Sequence, residues 1–106
     1  MYDRPTGLLE IARTVLKPET IMAVRGTGYT SRGYSILDRW ALNSPDELRK
    51  LEALGKIEFD LKLYGQQQTE YHALMSETAQ EMKKRGLSDF EILQAMEIDM
   101  SLKITE

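Results

Sequence analysis

From Leu54 to Met82 the apolar and amide residues Leu54, Ile57, Leu61, Tyr64, Gln68, Tyr71, Met75, Thr78 and Met82 step by three and four without a miss. That spacing is the signature of one face of a helix, sustained as a heptad seam. It predicts a long helix, or a helical hairpin, around residues 45–85. Two glycines oppose a single uninterrupted helix, since Gly55 and Gly65 each cost about 1 kcal/mol relative to alanine in a helix interior. KIEFDLKL at 56–63 and the segment 97–104 also alternate polar and apolar residues, and period two is the pattern of a half-buried strand. The expected fold is therefore mainly α, a single domain over 1–106 with four or five helices. The alternative is an α+β domain with strands at 56–63 and 97–104.

Local signals place the other elements. Leu8, Ile11, Ala12 and Val15 follow Thr6 at helical spacing, which predicts a first short helix capped by that threonine and ended at Lys17-Pro18. Pro18 can open a second helix that Gly26 stops. Ile36, Leu37, Trp40 and Ala41 mark a helix beginning near Ser35, with Trp40 as a core anchor. Ser44-Pro45-Asp46-Glu47 reads as a helix start: Ser44 as cap, Pro45 at the first position and Glu47 closing a capping box. Ser88 and Glu91 repeat that pattern for a last helix, after Lys83, Lys84, Arg85 and Gly86 end the one before it.

Composition narrows the function classes. With 106 residues, 42% of them apolar, the chain is long enough for one core. Its formal charge of −3 hides an imbalance: residues 1–42 carry six Lys/Arg against four Asp/Glu, and residues 43–106 carry eight against thirteen. Overall acidity argues against sequence-indifferent coating of nucleic acid. Five arginines, Arg4, Arg13, Arg25, Arg32 and Arg39, lie in the basic part, so any polyanion contact is expected there. The absence of cysteine excludes disulfides, thiolate nucleophiles and Cys-based metal sites. No apolar run approaches the roughly 18 residues of a membrane span, and charged residues interrupt the first twenty positions where a signal peptide needs an apolar core. The expected location is cytoplasmic, with no membrane contact.

Catalytic and metal-binding chemistry find little to work with. His72 is the only histidine; Ser76 shares its helix face, but no third group orients the imidazole and no oxyanion donors are recognisable. Glu77 and Glu81 are two carboxylates where a hard cation needs more oxygens, and Glu58 with Asp60 has no further feature of an acid pair. The expectation is no enzyme, no cofactor and no metal.

Two surfaces remain. RGTGYTSRGY, residues 25–34, sets glycines, hydroxyls and arginines before a helix start, the materials of a phosphate-binding loop. It lacks the lysine of a nucleotide-hydrolysing loop. Arg25, Thr27, Gly28, Tyr29, Ser31, Arg32, Tyr34 and, further on, Arg39 are its candidate binding residues. The competing reading makes it a turn whose arginines pair with acids of the second half. The seam supplies the other surface, with Ile57, Leu61, Tyr64, Gln68, Tyr71, Met75 and Met82 facing a partner or a second copy. These residues predict a small regulator or adaptor acting through protein contacts. The alternative is a nucleic-acid-associated regulator using loop 25–34.

Overall fold

The computed structural model describes residues 8–104, which leaves Arg4 and the expected cap Thr6 outside it. Within that range lie six α-helices: α1 (Pro18–Gly26), α2 (Ser31–Asn43), α3 (Pro45–Ala53), α4 (Lys56–Leu74), α5 (Glu77–Lys84) and α6 (Asp89–Ala95). A single 3-10 turn, Ala12–Thr14, precedes them, and no strand occurs among the described residues. The chain is thus mainly helical, with more and shorter helices than the four or five expected. No helix among them is long and apolar enough to cross a membrane.

The expected long element is three helices. Gly55 takes φ +107°, ψ 170°, a conformation that side chains with a Cβ rarely adopt, and the chain reverses there between α3 and α4. At the far end Ser76 caps α5, its hydroxyl accepting the Ala79 N–H at 3.2 Å. The three-and-four stepping continues across both breaks because it records which residues share a face, and short breaks need not disturb that.

Neither expected strand forms. In KIEFDLKL, residues two apart fall on opposite sides of a helix and residues four apart on the same side. Alternation therefore builds two apolar stripes on α4: Ile57 with Leu61, and opposite them Phe59 with Leu63. With 56–63 helical, 97–104 has no strand to pair with. Its backbone leaves α6 through Glu97 at φ +60°, and the following residues run as a strap. Leu102 is buried in the core, the Ile104 N–H donates to Glu47 at 2.6 Å, and Gln66 donates to the Asp99 carbonyl.

Helix starts differ in the same instructive way. Ser88 and Glu91 form the expected capping box. Ser44 makes no side-chain cap bond; its N–H donates to the Trp40 carbonyl, and the Glu47 carboxylate is turned toward Ile104 and Lys50. The first helix is reduced to its 3-10 turn: Asp38 of α2 accepts the N–H groups of Leu9, Ile11 and Ala12 at 2.7, 3.1 and 2.8 Å, and Leu9 sits at φ +66°.

The larger core cluster gathers Leu9, Ala12, Val24, Ile36, Leu37, Trp40, Leu48, Leu51, Phe59 and Leu63 with their neighbours. A smaller one joins Leu74, Ala79, Ile92 and Leu93 at the other end of α4. α4 connects the two, with Phe59 and Leu63 in the larger cluster and Leu74 in the smaller, and packs on α2, α3, α5 and α6.

Candidate functional site

The stretch expected as loop 25–34 is mostly helix. α1 runs to Gly26, the connection is only Thr27–Thr30, and Ser31, Arg32, Gly33 and Tyr34 form the first turn of α2. Thr30 caps that helix, its hydroxyl accepting the Arg32 N–H at 3.2 Å. Its own N–H and hydroxyl donate to Gln67 Oε1 on α4. Close approach explains Gly33, since a Cβ there would lie 2.4 Å from the same Gln67 oxygen.

Four of the eight candidate binding groups, Tyr29, Arg32, Tyr34 and Arg39, are buried or half-buried. Tyr29 is buried, and its phenol donates to Asp60 at 2.6 Å. Burial first, and then the bond to Asp60 and that carboxylate's charge, push the phenol pKa well up. Burial alone would raise Asp60, but the hydrogen bonds from Lys56 and Tyr29 outweigh it and hold its pKa below the ordinary value. Arg32 donates to Asp89 at 2.5 Å and lies 3.6 Å from Glu70. Arg39 forks onto Glu70 with both terminal nitrogens, leaving its buried Nε–H without a partner. Glu70 is wholly buried and also accepts from Gln66 at 2.9 Å. Two arginines of the basic half are thus engaged by acids of the other half. Arg25, Thr27, Gly28 and Ser31 remain at the surface, and among the described residues no acid pairs with Arg25.

The seam lies on the solvent side of α4. Ile57 is 76% exposed, Leu61 66%, Tyr64 and Tyr71 54% each, and Met75 59%, while Gln68 is half-buried. Met82, across the break, packs on the smaller core instead. The inward face of α4 is Phe59, Leu63, Gln67, Glu70 and Leu74.

The structure brings part of the loop and part of the seam together. Thr27, Gly28 and Tyr29 form one wall of a groove of about 450 Å³ whose other wall is Ile57, Asp60, Leu61 and Tyr64. On the other flank of Leu61 lies a second hollow, about 310 Å³, bounded by Leu51, Leu54, Glu58, Lys62, Lys103 and Ile104. Leu61 stands as a ridge between the two. Arg32, Tyr34 and Arg39 take no part in lining either hollow.

Reactive chemistry is not assembled around His72. Its exposed ring packs edge-on against Tyr71 with centroids 5.9 Å apart. The Ser76 hydroxyl donates to the Ala73 carbonyl and accepts from Ala79, so it is occupied as a cap. Among the described residues no three His, Asp or Glu side chains converge as a metal site.

Glu70, Gln67, Asp38, Asp60 and Asp89 organise these contacts; the sequence reading weighed Asp60 only as an acid pair with Glu58 and passed over the other four. A signal existed for two of them. Phe59, Leu63, Gln67, Glu70 and Leu74 form a second stripe at helical spacing, so Gln67 and Glu70 share a face with apolar residues and need polar partners wherever that face is buried.

Comparison with protein-family models, with curated proteins and with solved structures finds no match for this chain, so a functional reading rests on the geometry of its own surfaces.

Proposed function

We propose that the chain is a non-enzymatic intracellular regulator or adaptor that acts through protein contacts made by the exposed face of α4. One observation carries this reading. From Leu63 to Ser76 the chain contains no Asp, Lys or Arg and a single Glu, and that residue, Glu70, is buried. The outward side of this half of α4 is therefore tyrosine, methionine, amide, hydroxyl and imidazole, with no fixed charge. Interface centres have this make-up, depleted of charge and enriched in tyrosine and methionine. A helix face meant for water normally carries charges of both signs. Continuity with Ile57, Leu61 and the groove beside Gly28 extends the strip into a contiguous apolar patch, the kind that marks interaction sites.

The test uses tagged protein in lysate of its own host, with and without nuclease, beside a Leu61→Lys/Tyr71→Lys variant whose helicity is checked by circular dichroism. Both side chains are exposed, so the variant should fold. The reading expects a protein retained by the wild type and lost with the variant. Equal retention by both, or retention of nucleic acid alone, would reject it.

A further inference from the structure

We infer that the occupant of this face is the α4 helix of a second copy, laid antiparallel across a two-fold axis level with Gln66; the inference rests on reading the face as a protein contact. The five seam positions on α4 and Met75 at its C-cap are spaced 4, 3, 4, 3, 4, an order that reads the same in both directions. An antiparallel pair centred at residue 66 therefore meets in complete layers. Ile57 faces the second copy's Met75, Leu61 faces its Tyr71, and Tyr64 faces its Gln68, a phenol against an amide able to exchange a hydrogen bond. Each layer occurs twice, as an isologous two-fold interface requires.

Charge follows the same symmetry. Glu58 and His72 lie on one flank of the seam and centre on Gly65, one residue from the axis level, so antiparallel pairing sets each carboxylate about 3 Å along the helix axis from the level of the other copy's imidazole. A parallel pair would set Glu58 level with Glu58.

Gly65 supplies an independent observation. It sits inside α4 on the exposed side, without a positive φ. A Cβ added there would meet nothing within 4 Å. Nothing among the described residues calls for glycine there, although it weakens the helix. At the level where two antiparallel helices cross, its missing side chain lets the backbones approach closely.

Light scattering and sedimentation of the purified full chain should give a concentration-dependent monomer–dimer equilibrium. Gly65→Ala should weaken dimerisation by about tenfold or more while raising the thermal midpoint of the dilute monomer, a combination that a merely structural glycine would not produce. The absence of cysteine permits a test of orientation. Ile57→Cys mixed with Met75→Cys should cross-link on oxidation, and neither variant should cross-link alone.

A wild type that stays monomeric at every concentration overturns the inference, and so does cross-linking of Ile57→Cys to itself. If the wild type is monomeric yet Leu61→Lys/Tyr71→Lys still abolishes capture of a protein from lysate, only the second copy is wrong and the contact face stands. If the wild type is monomeric and capture is unchanged, both readings fall.

Discussion

Glu70 is the one charged side chain among the described residues that the fold removes wholly from water. A carboxylate in that position is tolerable only with its charge met and its oxygens hydrogen-bonded, which Arg39, Arg32 and Gln66 accomplish. Removing it leaves Arg39, itself mostly buried, without a counter-charge. Glu70→Ala should therefore cost about 3–5 kcal/mol in urea unfolding. Replacing Glu70 and Arg39 together by leucine should recover much of that loss, because the pair is then exchanged for packing and no lone charge remains. A double variant as unstable as the single one would show that shape and not charge sets the cost. Tyr29 tests the same balance at high pH. Its phenol pKa is raised in the folded protein, so its contribution is complete below the unfolded value near 10 and declines as pH rises beyond it. Tyr29→Phe should lower stability by about 1 kcal/mol at pH 8, and the gap to wild type should narrow above pH 10 in parallel denaturation curves.

At the scale of the element, the two glycines of the 54–82 region play opposite parts. Gly55→Ala forces a Cβ into a backbone conformation reserved for glycine and should cost about 1–3 kcal/mol, whereas Gly65→Ala should stabilise the dilute monomer by up to about 1 kcal/mol. Thermal denaturation of the two variants separates a helix boundary from a helix interior. The sequence does not separate them, since both glycines fit the seam in phase. That marks the general limit of what could be read. Helical period, the starts at Pro18, Pro45 and Ser88, and the membership of each face of α4 were legible because they depend on neighbours three or four residues away. Which face is inward was not legible, for α4 has two apolar stripes and only its packing on α2 chooses between them. Stretch 25–34 reads as a binding loop for a similar reason: Asp89, Glu70 and Gln67, which draw Arg32, Arg39 and Thr30 inward, lie more than thirty residues away. The strap at 98–104 adds a test at low pH. Glu47 accepts the Ile104 N–H and, secondarily, a bond from Lys50, and these hold its pKa below the ordinary value. That contribution is present above about pH 4.5 and lost as pH falls through the depressed value. Glu47→Gln should remove it, giving a shallower fall of the thermal midpoint between neutral pH and pH 3 than the wild type shows.

The whole molecule is a flattened body, 41 × 40 × 23 Å, in which fifteen buried hydrophobic residues form one cluster and four form the other. Stability scales with buried apolar surface, so the two ends of α4 cannot be equally resistant to opening. The α5–α6 end has the small cluster, and what ties it to the rest is largely α4 itself and the Arg32–Asp89 pair at the start of α6. Local opening draws on the region with fewest buried contacts. Native-state hydrogen exchange should accordingly show the amides of α5 and α6 exchanging with a lower free energy than those of α2 and the first half of α4, whose exchange should track global unfolding. Arg32→Ala should widen the difference. Its closer partner, Asp89, is partly solvated, so the further loss at the start of α6 is on the order of 0.5–1 kcal/mol. Equal protection across all helices would mean that the two clusters open as one cooperative core. A difference would mean that α4 crosses from a rigid region into a yielding one, with Tyr71 and Met75 of its exposed face on the yielding side. A partner gripping both halves of that face would then raise protection most in α5 and α6, which the same exchange experiment reads at high and low protein concentration.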